Sequence, residues 1–97
     1  MKNTENIVNA NSMFLGARVS KISGLNTKNV EDLDSAFKDL RNPKLTQFVE
    51  IPEINLHKCK RLDMAFYGCA ARKIAVSNPT PQLKYLKDAF TNCYALE

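Results

Sequence analysis

A short apolar motif centred on phenylalanine recurs along this 97-residue chain, and its recurrence constrains the fold more than any other feature. The clearest copy is residues 62–69, with the sequence LDMAFYGC. Related copies surround Phe37 and Phe90, and a weaker copy surrounds Phe14. The four phenylalanines are 23, 29 and 24 residues apart. A self-similar period of this length is typical of proteins built from stacked repeats.

Within each copy, apolar residues occur seven, four and one positions before the phenylalanine, at the phenylalanine, and three positions after it. In the second copy these residues are Val30, Leu33, Ala36, Phe37 and Leu40. Steps of three and four residues place such positions on one face of a helix. A helix of about three turns is too short to be stable alone. We therefore predict four short helices that stack through their apolar faces.

A further apolar position follows each of the first three phenylalanines by eight residues, at Ile22, Leu45 and Ile74. Residues that favour strands come next, and glycine or proline ends each run, as at Pro52. The pattern predicts an α/β fold of about four helix-strand coils with a small parallel sheet. The predicted repeats lie near residues 7–25, 30–52, 59–81 and 83–97, in one domain after a flexible segment 1–6. The 29-residue step predicts a bulge at residues 53–57.

Several of these residues are similar to the leucine-rich repeats of BspA-like bacterial surface proteins. The resemblance covers roughly residues 7 to 96 and depends on the pairs Phe66/Cys69 and Phe90/Cys93, on Ile51-Pro52, on residues 26–33 and on Met13-Phe14. Ala17 and Leu40 stand where that family has cysteine. The resemblance implies a leucine-rich-repeat solenoid whose stacked strands bind other proteins.

A non-enzymatic protein-binding module is the function that this resemblance implies. The partner would contact outward strand residues and a few aromatic or basic anchors. The predicted partner-binding residues are Gln47, Val49, Arg72, Lys73, Tyr67, Tyr85, Lys58, Lys60 and Arg61. The first and last repeats look uncapped, so we predict a homodimer through one terminal repeat or coverage by the partner.

Charge is unevenly distributed, which leaves two alternative functions open. Residues 1–56 carry seven basic and seven acidic side chains, whereas residues 57–97 carry seven basic and three acidic ones. A basic second half suits a small inhibitor, of mobile-element or phage type, that docks on an acidic site of a host enzyme or defence complex. It also suits nucleic-acid binding through Lys58, Lys60, Arg61, Arg72, Lys73, Lys84 and Lys87.

No residue pattern points to catalysis, a cofactor or a metal. His57 is the sole histidine, and Cys59, Cys69 and Cys93 contain no Cys-x-x-Cys pair. We predict free, buried thiols that act as small hydrophobic residues, with a disulfide or a metal site as the alternatives.

Cytoplasmic location is the predicted setting. No apolar region follows Lys2 as in a secretory signal, and no stretch has the length of a membrane span. A piece of a larger surface protein is the alternative.

Overall fold

The repeated motif folds into runs of tight turns in the computed structural model, which describes residues 4–93. We call residues 10–17, 33–40, 62–69 and 86–93 the Phe segments. Each Phe segment contains three overlapping turns closed by backbone hydrogen bonds. In the second segment, the N–H groups of Ala36, Lys38 and Leu40 donate to the carbonyls of Leu33, Ser35 and Phe37 at 3.0, 3.2 and 3.3 Å.

Backbone angles exclude a helix in every Phe segment. The residues two before and two after each phenylalanine have positive φ. In the second segment these are Ser35 and Asp39, each with φ of 56°. An α-helix requires φ near −63° at every residue, whereas a type II turn requires positive φ at its third residue.

The predicted leucine-rich-repeat solenoid of four helix-strand coils is therefore wrong. Within the described residues there is no α-helix. The regular elements are a 3₁₀ turn at Thr4–Asn6, strand β1 at Ile54–Asn55 and strand β2 at Val76–Ser77. The two strands pair in parallel, with Ile54 opposite Val76. The helix prediction failed because tight turns give the same spacing as a helix. Leu33 and Ala36 are the first and last residues of one turn, and Phe37 and Leu40 are those of another. Their apolar side chains therefore recur at steps of three and four residues, as on one face of a helix.

Backbone hydrogen bonds join each Phe segment to the next one along the chain. The N–H of Phe14 donates to the carbonyl of Ala36, Phe37 donates to Ala65, and Phe66 donates to Ala89, each at 2.8 Å. Four such bonds, from every second residue, connect each successive pair of segments. The segments therefore lie side by side in parallel, in sequence order.

The four phenylalanine rings form a stack through the centre of this array. Neighbouring ring centroids are 5.7, 5.2 and 5.4 Å apart, and the ring planes differ by 13°, 6° and 6°. Phe37 and Phe66, in the middle segments, are fully buried. Cys59, Leu62, Ala65 and Cys69 are buried with them. The predicted apolar positions thus form the core of the middle segments, although they are not on helices.

The extra residues of the 29-residue step lie between Arg41 and Glu50, and not at 53–57. The bridge between Arg18 and Arg41 spans 23 residues, whereas that between Lys21 and Glu50 spans 29. Leu45, which the repeat pattern placed at the start of a strand, lies in this inserted loop and is 81% exposed, so that prediction is wrong. The predicted bulge instead contains β1, and Ile54 there is fully buried.

A buried threonine satisfies the backbone on the other side of β1. The Thr27 hydroxyl accepts a hydrogen bond from the N–H of Asn55 at 2.7 Å and donates one to its carbonyl at 3.1 Å. Thr27 is 1% exposed. The side chain therefore takes the place of a further strand at this edge, because buried backbone groups need partners.

Candidate partner-binding cleft

An open cleft of about 700 Å³ lies between residues 47–53 and 72–75. Parallel bridging of Val49 to Ala71 brings these two stretches together. We call this cavity the strand cleft. Its lining residues are Gln47, Phe48, Val49, Glu50, Ile51, Glu53, Arg72, Lys73 and Ala75.

A partly exposed aromatic residue, Phe48, contacts a guanidinium group at the strand cleft. The Arg72 guanidinium carbon is 4.0 Å from the centroid of the Phe48 ring, within the range of a cation–π contact. The Phe48 backbone is held by Asn42, which is 4% exposed and donates from Nδ2 to the Phe48 carbonyl at 2.9 Å. The base of the inserted loop therefore positions this ring.

The charges around the strand cleft are mixed in sign. Arg72 and Lys73 contribute two positive charges, and Glu50 and Glu53 contribute two negative ones. Glu50 also lies 3.8 Å from the Lys21 ammonium, but both side chains are mostly exposed. Such surface pairs contribute little to stability, so Glu50 can leave Lys21 for a partner at small cost.

Four of the predicted partner-binding residues border the strand cleft, namely Gln47, Val49, Arg72 and Lys73. Val49 is 2% exposed, so the prediction that its side chain faces outward is wrong. Successive residues of an extended chain point to opposite faces, and here Phe48 takes the outward place while Val49 enters the core.

Sequence reasoning missed Phe48, because it treated the residues after Leu45 as a short strand and did not count Phe48 among the outward-facing ones. The signal that predicts its exposure is Asn42-Pro43, a turn-forming pair that marks the start of a loop. Phe48 lies at the end of this loop, at 42–48, where its side chain is exposed.

The other predicted binding residues do not join the strand cleft. Lys60 and Tyr85, together with Gln82 and Lys84, line a separate hollow of about 330 Å³. Lys60 pairs with Glu31 at 3.0 Å. Lys58 is exposed in a turn, and Tyr67 contacts the Lys38 ammonium at 5.3 Å from its ring centroid.

Arg61 is held by neighbours on three sides. Its Nε donates to Asp34 at 2.6 Å, its terminal nitrogen donates to Asp63 at 3.4 Å, and its guanidinium carbon is 4.1 Å from the Tyr85 ring centroid. The hydrogen bond to Asp34 raises the pKa of Arg61 above its ordinary value. Arg61 therefore links adjacent Phe segments, and its charge is already paired.

The cysteine thiols are free, as predicted, and Cys59 and Cys69 are buried. Burial raises the pKa of each of these two thiols to about 11. The half-buried Cys93 thiol donates to the Phe66 carbonyl at 2.9 Å, and burial raises its pKa as well. Among residues 4–93, no three histidine, cysteine or acidic side chains converge on a common point. The same residues include no helix of the length and apolarity that a membrane crossing requires.

Comparison with protein-family models, with curated proteins and with solved structures finds no match to this chain. The resemblance to BspA-like proteins therefore stays a prediction from the motif residues alone.

Proposed function

We propose that the protein is a non-enzymatic module that binds another protein, and that the strand cleft receives an extended segment of that partner. The observation that carries this proposal is Phe48, a residue that is 39% exposed and whose ring lies against the Arg72 guanidinium at the cleft. Aromatic and arginine side chains provide a large share of the binding energy in protein interfaces.

The shape and chemistry of the strand cleft suit a polypeptide. Ile51 and Ala75 contribute apolar surface, whereas Gln47, Glu50 and Lys73 surround it with polar groups. An apolar centre with a polar rim is the usual organisation of a protein interface. A partner segment of mixed composition would place an apolar side chain against Phe48 and polar groups at the rim.

Nucleic-acid binding is less well supported. Of the seven basic residues considered for it, Lys60 and Arg61 are engaged with acidic side chains. Arg72 and Lys73 line the strand cleft beside Glu50 and Glu53, whose charges oppose a phosphate backbone.

Peptide selection against the purified protein tests the proposal directly. A displayed library of random peptides would be selected on the full chain, and the affinity of the enriched peptides measured by fluorescence anisotropy. We expect Phe48→Ala and Arg72→Ala each to weaken binding roughly tenfold or more, as expected for anchor residues. Leu45→Ala is the matched control, because Leu45 is an exposed apolar residue of the same loop outside the strand cleft.

Two results would contradict the proposal. One is a selection that enriches no binding peptide. The other is binding that Leu45→Ala weakens as much as Phe48→Ala does. A salt titration separates the nucleic-acid alternative, since binding to a phosphate backbone weakens steeply as salt rises, whereas a largely apolar peptide contact persists.

A further inference from the structure

Within residues 4–93, the last Phe segment has a row of backbone N–H groups for which no acceptor is found. In the first three segments, N–H groups at every second residue donate to the carbonyls of the following segment. The equivalent donors of the last segment are the N–H groups of Leu86, Asp88, Phe90 and Asn92. Across the described residues none of these four makes a hydrogen bond. We call this surface the donor end.

The first Phe segment presents the complementary row. In the second segment, the carbonyls of Asp32, Asp34, Ala36 and Lys38 accept from the first segment. The equivalent carbonyls 23 residues earlier are those of Asn9, Asn11, Met13 and Leu15. Throughout residues 4–93 no donor reaches these four carbonyls. We call this surface the acceptor end.

Apolar residues at both ends are more exposed than the residues at the same motif positions in the middle Phe segments. Leu86 is 51% exposed and Phe90 45%, whereas Leu62 and Phe66, in the same places one segment earlier, are 1% and 0% exposed. At the other end Met13 is 38% exposed, whereas Ala36 in its place is fully buried. A neighbouring segment is what covers these positions inside the molecule.

We propose that copies of this chain associate head to tail, with the donor end of one copy against the acceptor end of the next. The contact would reproduce the join already present three times within the chain. Four N–H groups would meet four carbonyls at the same two-residue spacing, and Phe90 would continue the ring stack onto Phe14 of the next copy. Open rows of backbone groups are templates for such pairing.

Polarity distinguishes this association from a symmetric dimer. Two donor ends cannot pair with each other, since both offer only N–H groups in this row. The contact is therefore heterologous, and such contacts extend to rings or filaments unless an end is blocked. We expect the mass measured by light scattering to rise continuously with concentration, past that of a dimer. The proposal is independent of the strand cleft.

Two variants, each with one blocked end, provide the test. Leu86→Lys places a charge in the apolar surface of the donor end, and Met13→Lys does so at the acceptor end. Leu86→Lys retains a native acceptor end, and Met13→Lys retains a native donor end. Each alone should be monomeric at concentrations where the native chain associates, whereas an equimolar mixture should form a heterodimer that grows no further. Leu45→Lys, in the exposed loop, should associate as the native chain does.

The mixture also controls for misfolding, because an unfolded variant could not restore the complex. Three outcomes would overturn the proposal: a native chain that is monomeric at high micromolar concentration, a variant that still dimerises alone, or a mixture of the two variants that stays monomeric while both melt cooperatively. A variant that dimerises alone would indicate a symmetric contact instead.

Discussion

Truncation of Phe37 should be among the most damaging single changes in this protein. The ring is fully buried and stacks on Phe14 at 5.7 Å and on Phe66 at 5.2 Å. Phe→Ala in a core costs about 3–5 kcal/mol, and loss of two aromatic contacts favours the upper part of that range. A domain of this size has a free energy of unfolding of roughly 5–15 kcal/mol, so Phe37→Ala removes a large part of it.

Phe90 provides a matched control with the same motif position. Its ring is 45% exposed and stacks only on Phe66 among the described residues. Phe90 is about half buried and has one ring contact where Phe37 has two, so Phe90→Ala should lower the free energy of unfolding by about 2 kcal/mol. The expected difference between the two variants is therefore roughly 2–3 kcal/mol.

Urea unfolding followed by tyrosine fluorescence would measure both costs, since the chain has three tyrosines and no tryptophan. With a urea m-value of about 2 kcal/mol/M, Phe37→Ala should lower the midpoint by roughly 2 M and Phe90→Ala by roughly 1 M. Measurements at low micromolar concentration keep association between copies from contributing. Equal costs for the two variants, or a cost for Phe37→Ala under about 1.5 kcal/mol, would refute the buried ring stack.

Two further predictions concern buried polar groups. Thr27→Val keeps the side-chain shape but leaves both backbone groups of Asn55 without partners, so it should lower the free energy of unfolding by about 2–4 kcal/mol. The control Thr46→Val, in the exposed loop, should change the free energy of unfolding little. Equal melting temperatures for the two variants would contradict this prediction. Because burial raises the pKa of Cys69 from its ordinary value of 9.0 to about 11, the unfolded chain loses the thiol proton first, and stability should be fully present below pH 9 and fall between pH 9 and 11. Cys69→Ala should reduce the slope of stability against pH in that window, and an unchanged slope would show that the thiol does not contribute.

Much of the core could be identified from the spacing of apolar residues. Val30, Leu33, Phe37 and Leu40 are all buried, as the repeated pattern predicts. Their secondary structure could not be identified from that spacing, because turns and helices share steps of three and four residues. A second signal was available at the position two after each phenylalanine, which holds Gly16, Asp39, Gly68 and Asn92. These residue types tolerate positive φ and favour turns.

One of the two glycines at these positions also lies close to a neighbouring Phe segment. Gly68 has φ of +65°, and a Cβ there would lie 2.6 Å from Oδ1 of Asp39 in the preceding Phe segment. Gly16 has a similar φ but no atom within 4 Å of an added Cβ. The contact of Gly68 arises only from the stacking of segments, so no local pattern predicts it.

The candidate site was predictable only in part. Gln47, Arg72 and Lys73 were predicted and do border one cleft. Val49 was assigned to the wrong face and the exposure of Phe48 was missed, because residues 42–48 form a loop and the paired backbone begins only at Val49. The length of an insertion can be read from the repeat, but its location depends on which residues pair across the stack.

The chain itself therefore determines that four equivalent apolar motifs bury one another, since the same residue types recur in register. Tertiary contacts alone decide how the backbone does so. Every second N–H group of the first three Phe segments finds its acceptor in the next segment, while the N–H groups between them close turns three residues back instead of the four of an α-helix. This choice depends on neighbours that are 23 to 29 residues distant. The open rows at the two ends of the described array are a consequence of that choice, because backbone groups that would bond to a neighbouring segment find no such partner among residues 4–93.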